Sequence, residues 1–245
     1  MPHMPVLSYE TIADDLIVCT SQLHRFGTDA VLLTKFSEYR QKDRVCDLGT
    51  GCGIIPLILW RDFAPKQIVG VELFPQAVEQ FSLSVKQSGL IGRVIPLLGD
   101  LKTIKDPALP DGRFDVVTCN PPYKALGAGI PSETPAELSA RHEVNCTILD
   151  VCRRASKLLK FGGRLCICNR PERLADCMAA MRDTGLEPKR LRFVAKYPTS
   201  APWLFLLEGT KGGKPFMKVE PVLAVQGENG FSKELLQIYG KEQNG

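Results

Sequence analysis

From residue 44 onward the chain alternates short apolar, β-branched runs with longer stretches whose apolar residues recur at helical spacing. RVCDLG (44–49) precedes IIPLILWRDF (54–63), and QIVGVEL (67–73) precedes PQAVEQFSLSVKQSG (75–89), which opens on proline and closes on glycine as a helix does. RVIPLLGD (93–100), FDVVTCN (114–120) and GRLCICN (163–169) continue the strand series. Between the last two lies EVNCTILDVCRRASKLLKFGG (143–163), read as a helix stopped by its glycine pair. PERLADCMAAMRDTG (171–185) reads as another helix, and KRLRFVAKY (189–197) with APWLFLLEGTK (201–211) as a closing pair of strands. Such alternation predicts an α/β fold, a parallel sheet with helices on both faces. Ahead of it, LIVCTSQLHRFGTDAVLLTKFSEYR (16–40) predicts a strand or hairpin, then a helix beginning near Thr28 with Asp29 in its first turn. Residues 1–43 thus read as an N-terminal extension and 44–245 as the main domain with a short C-terminal extension, one compact domain overall. KALGAGIPSETPAEL (124–138) reads as a mobile loop, and VEPVLAVQGENGFSKELLQIYG (219–240) as a tail with a turn and an amphipathic stretch.

Composition narrows the class. With 44% hydrophobic and 24% charged residues the chain matches a soluble globule. No apolar stretch approaches the ~20 residues of a membrane span, and the start, MPHMPVLSYE, lacks a basic-then-apolar leader. Nine cysteines occur without a C-x-x-C, so buried, reduced thiols in a cytoplasmic protein are expected, with no metal site. The charge is uneven: residues 1–150 carry 14 Lys+Arg against 18 Asp+Glu, and residues 151–245 carry 17 against 9. A basic second half is a solvated face or a surface for a polyanion.

The strand ends carry the chemistry. DLGTGCG (47–53) links the first strand of the alternating region to its first helix, where Gly49, Gly51 and Gly53 permit tight turns and close approach of a ligand. Thr50 and Cys52 lie between them. The second strand ends at Glu72-Leu73, placing an acid where ribose hydroxyls bind in open α/β sheets, and the third ends at Gly99-Asp100, an acceptor for an adenine amino group. Asp47 would repel a pyrophosphate but could pair with a cationic amino group. A nucleoside joined through a sulfonium to an amino acid, S-adenosylmethionine, fits better than NAD.

The fourth strand ends in CNPPYK (119–124), which prolines force out of the sheet. Together, DLGTGCG, VEL, LLGD and NPPY resemble the class I S-adenosylmethionine-dependent methyltransferases, specifically those with an Asn-Pro-Pro-Tyr motif that methylate a planar nitrogen. The resemblance spans roughly residues 44–210. It implies a Rossmann-like, seven-stranded, mostly parallel sheet with helices on both faces and an antiparallel C-terminal hairpin. It also implies catalytic roles for Asn120, Pro121, Pro122 and Tyr123. The Asn120 side-chain oxygen and the Pro121 carbonyl can each accept an N–H of the target amine, whose lone pair is otherwise delocalised, and can stabilise charge developing on nitrogen. The prolines hold those acceptors rigid, and the Tyr123 ring offers a stacking surface.

The flanks HRFGTDAVLL (24–33), ARHE (140–143), KGGKP (211–215) and EPVLAV (220–225) are similar to the small bacterial tRNA adenine-N6 methyltransferases, which modify the adenosine 3′ of the anticodon in a valine tRNA. That similarity implies a wall beside the cofactor from Arg25, Phe26, Gly27, Thr28 and Asp29, the alternative being that Thr28 and Asp29 only begin a helix. It places Arg141 and His142 near the target nucleotide, and Lys124 stands where this subgroup commonly has an aromatic. Arg153, Arg154, Lys189, Arg190, Arg192, Lys211, Lys214 and Lys218 are candidate phosphate contacts. Competing functions are protein glutamine N5-methylation, rRNA guanine N2-methylation, and, outside enzymes, a non-catalytic RNA-binding protein. The RNA reading is favoured because a structured RNA with one base splayed into the pocket asks least of so compact a chain.

Overall fold

The structure, a computed structural model, describes residues 7–13, 15–22, 25–121, 146–228 and 230–240. The expected loop at 124–138 and the candidate residues Pro122, Tyr123, Lys124, Arg141 and His142 lie outside the described residues.

A hairpin of β1 (Ser8–Ala13) and β2 (Leu16–Thr20) precedes helix α1 (Thr28–Phe36). Strands β3 (Arg44–Leu48), β4 (Gln67–Glu72), β5 (Val94–Leu98), β6 (Phe114–Cys119) and β7 (Leu159–Asn169) then run parallel. Their connections carry α2 (Ile54–Phe63), α3 (Pro75–Gln87) and α4 (Ile148–Leu158). After α5 (Leu174–Asp183) come β8 (Leu186–Ala195) and β9 (Pro202–Lys211). β9 inserts antiparallel between β7 and β8, giving the order β8-β9-β7-β6-β3-β4-β5. Two short strands absent from the sequence expectation, β10 (Lys218–Val219) and β11 (Leu223–Ala224), extend this sheet along the outer edge of β8. Their two-residue length leaves no alternating pattern to read. The tail ends in the small hairpin of β12 (Gln226–Gly227) and β13 (Gly230–Phe231), followed by α6 (Lys233–Ile238).

Each face of the sheet has its own apolar layer. One combines α1, α2 and α3 with β2 through Leu33, Leu57, Phe81, Cys166 and Leu204. The other seats α4 and α5 through Val117, Cys152, Leu158, Met181 and Phe205. The N-terminal hairpin joins the first layer by side-chain capping of its edge. The Ile17 and Cys19 amides donate to Ser88 Oγ (3.0 Å) and Ser84 Oγ (2.8 Å), two serines four residues apart on α3. Helix and hairpin are thereby locked without a shared sheet.

The glycine pair 162–163 does not end a helix. α4 starts at a reciprocal capping box between Thr147 and Asp150 and stops at Leu158, and Leu159 is already extended. Gly162 has φ 75°, and a Cβ on Gly163 would lie 2.9 Å from the Lys160 carbonyl and 3.1 Å from that of Phe114. The pair forms the irregularity at which the β6–β7 register shifts between Phe114 and Val116. A Gly-Gly after an apolar helix has the same local signature in either role, and only the partner strand decides.

Candidate active site

β3 is followed on one side by β4 and on the other by β6, so the chain reverses direction across the sheet at this point. In open α/β sheets ligands bind at such a point, beyond the carboxyl ends of the strands. The register aligns Asp47, Thr118, Cys166, Glu208 and Arg190 in one row across β3, β6, β7, β9 and β8. Two residues further along β6 and β7, at the strand ends, Asn120 and Cys168 come into contact. Residues two apart share a face, so Asp47, Thr118, Asn120, Cys166 and Cys168 all project toward the layer of α1 and α2.

Asp47 is buried, 1% exposed, and its Oδ1 accepts a 2.7 Å hydrogen bond from the Thr118 hydroxyl. Its Oδ2 has no hydrogen-bond partner among the described residues. Burial raises its pKa to about 7, opposed by the Thr118 and Thr50 hydroxyls and reinforced by the Glu72 charge. An unpartnered buried carboxylate oxygen is a local demand for a hydrogen-bond donor or a cation.

The glycines divide by role. Gly49 (φ 71°) and Gly51 (φ 57°) border open space, since a Cβ on either would meet nothing within 4 Å. Gly53 is a packing residue: its Cβ would lie 2.0 Å from Phe81 Cδ2. The same ring crowds Gly70 on β4, at 2.5 Å. Cys52, 2% exposed, turns into the core. Glu72 is partly committed to the fold, because Oε1 accepts from the Leu73 (2.7 Å) and Phe74 (3.0 Å) amides. Oε2 accepts from Gly51 N (2.9 Å) and keeps one acceptor direction open. It therefore pins the glycine turn to the end of β4, with capacity for one ribose hydroxyl rather than the two expected from both its oxygens. Asp100 caps its own turn by accepting from Lys102 N at 2.9 Å, and its Oδ2 lies 3.5 Å from Lys102 Nζ. Gly99 packs on Ile104 and donates to the Glu72 carbonyl.

α1 begins at Thr28 after Gly27, which provides no side-chain cap, and Asp29 occupies the first turn. The Thr28 hydroxyl accepts from Tyr239 of the tail at 3.1 Å, Phe26 packs on the core, and Arg25 is exposed.

Most of the expected phosphate contacts are spent inside the protein. Arg190 pairs with Glu208 (2.9 Å) and Glu220 (3.4 Å), with Glu38, and with the Phe36 carbonyl, over whose ring it lies at 4.2 Å. Lys211 Nζ donates to the Ser156 (2.6 Å) and Leu159 (2.8 Å) carbonyls and so caps the end of α4. Lys189 Nζ gathers the carbonyls of Lys214, Pro215 and Phe216. Arg192 binds the Pro221 carbonyl and Glu234, and Arg154 binds Asp111 and the Ile104 carbonyl. Lys214, Lys218 and Arg153 are exposed, Lys218 lying 3.8 Å from Glu220 and Arg153 3.8 Å from Asp150. Lys211 also sits at the wrong end of the sheet. Leu206 is the β9 partner of Cys168, so Lys211 lies five residues, about 17 Å, below the Asn120 row.

Sequence reasoning missed Thr118, Phe81, Cys168 and Tyr239. Thr118 alone left a trace, as a polar residue in an otherwise apolar run.

Against this geometry, a family model described as a methyltransferase domain matches residues 40–205. The chain belongs to that family and is a class I S-adenosylmethionine-dependent methyltransferase. A Porphyromonas gingivalis protein named tRNA1(Val) (adenine(37)-N6)-methyltransferase is 30% identical over 75% of this chain and 73% of its own length. A protein of the same name from Tolumonas auensis is 28% identical over 87% of both chains. Among solved structures, a predicted O-methyltransferase from Agrobacterium tumefaciens superposes with a TM-score of 0.68 at 20% identity, covering 87% of this chain and 96% of its own. The fold is thus that of the family, with a central mixed sheet between helices and an antiparallel closing pair.

Proposed function

We propose that this enzyme transfers a methyl group to the exocyclic N6 of an adenosine in tRNA, next to the anticodon. The observation that carries the reading is the position of Asn120. Its amide stands just past the end of β6, two residues beyond the Thr118 that bonds Asp47 and against Cys168 of β7, at the strand ends where acceptor and methyl donor would meet. The named relatives above support adenosine in tRNA as the acceptor.

Asp47 would hold the amino acid moiety of S-adenosylmethionine, Gly49 and Gly51 would admit it, and Glu72 Oε2 would accept from its ribose. Exposed Leu73 and the turn of Gly99-Asp100 would border the adenine. When bound, the cofactor supplies an electrophilic methyl on a sulfonium. Asn120 Oδ1 and the Pro121 carbonyl then accept the two N–H groups of the target amine. That contact draws the nitrogen toward pyramidal geometry and places two oxygen dipoles where positive charge develops. Pro122 and Tyr123 follow in chain order, and stacking of the base on the Tyr123 ring completes the assignment. Of the candidate phosphate contacts, Arg153, Lys214 and Lys218 are exposed. Lys196, exposed at the site end of the sheet, is better placed to contact RNA flanking the target.

Incubation with methyl-labelled S-adenosylmethionine and tRNA, rRNA and protein from a strain lacking the gene, followed by nucleoside mass spectrometry, tests the acceptor. N6-methyladenosine in tRNA is expected, and label confined to protein or to guanosine would refute the reading. Asn120→Ala is expected to abolish transfer while the dissociation constant for S-adenosylhomocysteine, measured calorimetrically, changes less than about threefold, since the lost acceptor acts on the amine and not on the cofactor.

A further inference from the structure

We propose that Cys168 is a positioning residue for catalysis, its thiol fixing the orientation of the Asn120 amide. The inference rests on the assignment of Asn120 made above. Cys168 Sγ lies 3.0 Å from Asn120 Oδ1 with the thiol as donor. Cys168 is fully buried on β7, in the layer of α1 and α2 with Cys166, Leu204 and Leu206. The contact follows from register: Cys119 pairs with Ile167, so the next position of each chain, Asn120 and Cys168, face one another at the strand end.

Its chemical effect is directional. An amide oxygen has two lone pairs, and a thiol hydrogen needs an acceptor, whereas sulfur is a poor acceptor for the amide NH₂. The contact therefore favours the rotamer with Oδ1 toward β7, so that the oxygen and not the NH₂ is offered to an N–H of the target amine. The opposite rotamer would present NH₂ to an amine that offers only donors. This also accounts for the Cys-Ile-Cys alternation of β7. Cys166, one row lower, lies 3.9 Å from Glu208 Oε2 and serves the Arg190 ion cluster, while Cys168 reaches the catalytic end. A valine would fill the same apolar space without supplying the donor.

The test uses the full-length enzyme with Cys168→Ala, Cys168→Val and Cys168→Ser, unmodified total tRNA, and labelled S-adenosylmethionine. Loss of a single orienting hydrogen bond corresponds to roughly tenfold in rate. Ala and Val are expected to lower kcat on that order, with KM for tRNA and calorimetric affinity for S-adenosylhomocysteine within about twofold of the parent. Ser, which retains a donor, is expected to restore most of kcat although a hydroxyl in this apolar layer makes it melt lower than Ala. Activity and melting temperature should therefore rank Ser and Ala in opposite order. The proposal is overturned if Ala and Val keep full kcat, or if kcat simply follows melting temperature through the series. An active Asn120→Ala enzyme, assayed in parallel, would instead refute the assignment of Asn120 and the proposal with it.

Discussion

At the scale of single residues, the site is governed by how a few buried polar atoms are satisfied. Asp47 is the clearest case. With its pKa near 7, it retains a proton through a pH range where an unfolded aspartate, near 3.8, has lost it. Between those two values the folded chain binds more protons than the unfolded one, so the cofactor-free enzyme loses stability as pH rises through that window and levels off above it. A cationic amino group reverses the preference by favouring the carboxylate. Cofactor binding should therefore release a proton below pH 7 and weaken about tenfold per pH unit as pH falls. Asp47→Asn should bind more weakly at pH 7.5, roughly, and show a flat profile from about 5.5 to 7. Calorimetry with S-adenosylhomocysteine across that range checks both statements, and a flat wild-type profile would contradict the role of Asp47.

At the scale of elements, one aromatic ring sets the geometry of the cofactor turn. Phe81 projects from α3 against Gly53 at the start of α2 and Gly70 within β4, so three elements meet around one ring. Gly53→Ala combines a contact of 2.0 Å with a backbone at φ 82° that side chains rarely adopt. A loss of about 3 kcal/mol or more is expected, with overpacking and backbone strain both contributing. Gly49→Ala meets no such contact and should cost only its conformational strain, ~1 kcal/mol, while impairing cofactor binding. Paired urea melts and cofactor titrations on the two variants separate packing from binding. The sequence pattern located this loop because a strand, a glycine-rich turn and a helix are a local succession. It could not sort the three glycines, because the ring that fills the space beside Gly53 comes from Phe81, on another element, while nothing fills it beside Gly49 and Gly51.

At the scale of the whole molecule, five of the eight candidate phosphate cations prove to be internal braces. Arg190, Arg192, Lys189 and Lys211 tie β8 and β9 to α1, α4 and the tail, and their charges are met by carbonyls and carboxylates. The cations well placed for RNA are those at the carboxyl end of the sheet. Lys196 follows β8 directly, exposed, and lies 5.3 Å from the exposed Tyr197 ring. Lys196→Glu should weaken tRNA binding and lower the slope of log affinity against log salt by about one. Lys214→Glu, at the far end of the sheet, should change neither measurably. Filter-binding titrations at several salt concentrations distinguish them, and the opposite ranking would place the RNA on the other end.

Much of the fold and part of the site are local properties. Strand, turn and helix repeat along the chain with their own apolar periods, and the acids at 72 and 100 and Asn120 sit at strand ends that these periods mark. Sequence alone therefore determined the α/β class, the glycine-rich turn between β3 and α2, and Asn120 as the residue leaving β6. Only tertiary structure decided which groups act together. Register placed Thr118 against Asp47 and Cys168 against Asn120. Packing gave Gly53 to Phe81, and ion pairing withdrew Arg190 from solvent. Each of those outcomes depends on a partner dozens of residues distant, and hydrogen-bond and charge satisfaction are properties of the pair, which no local pattern contains.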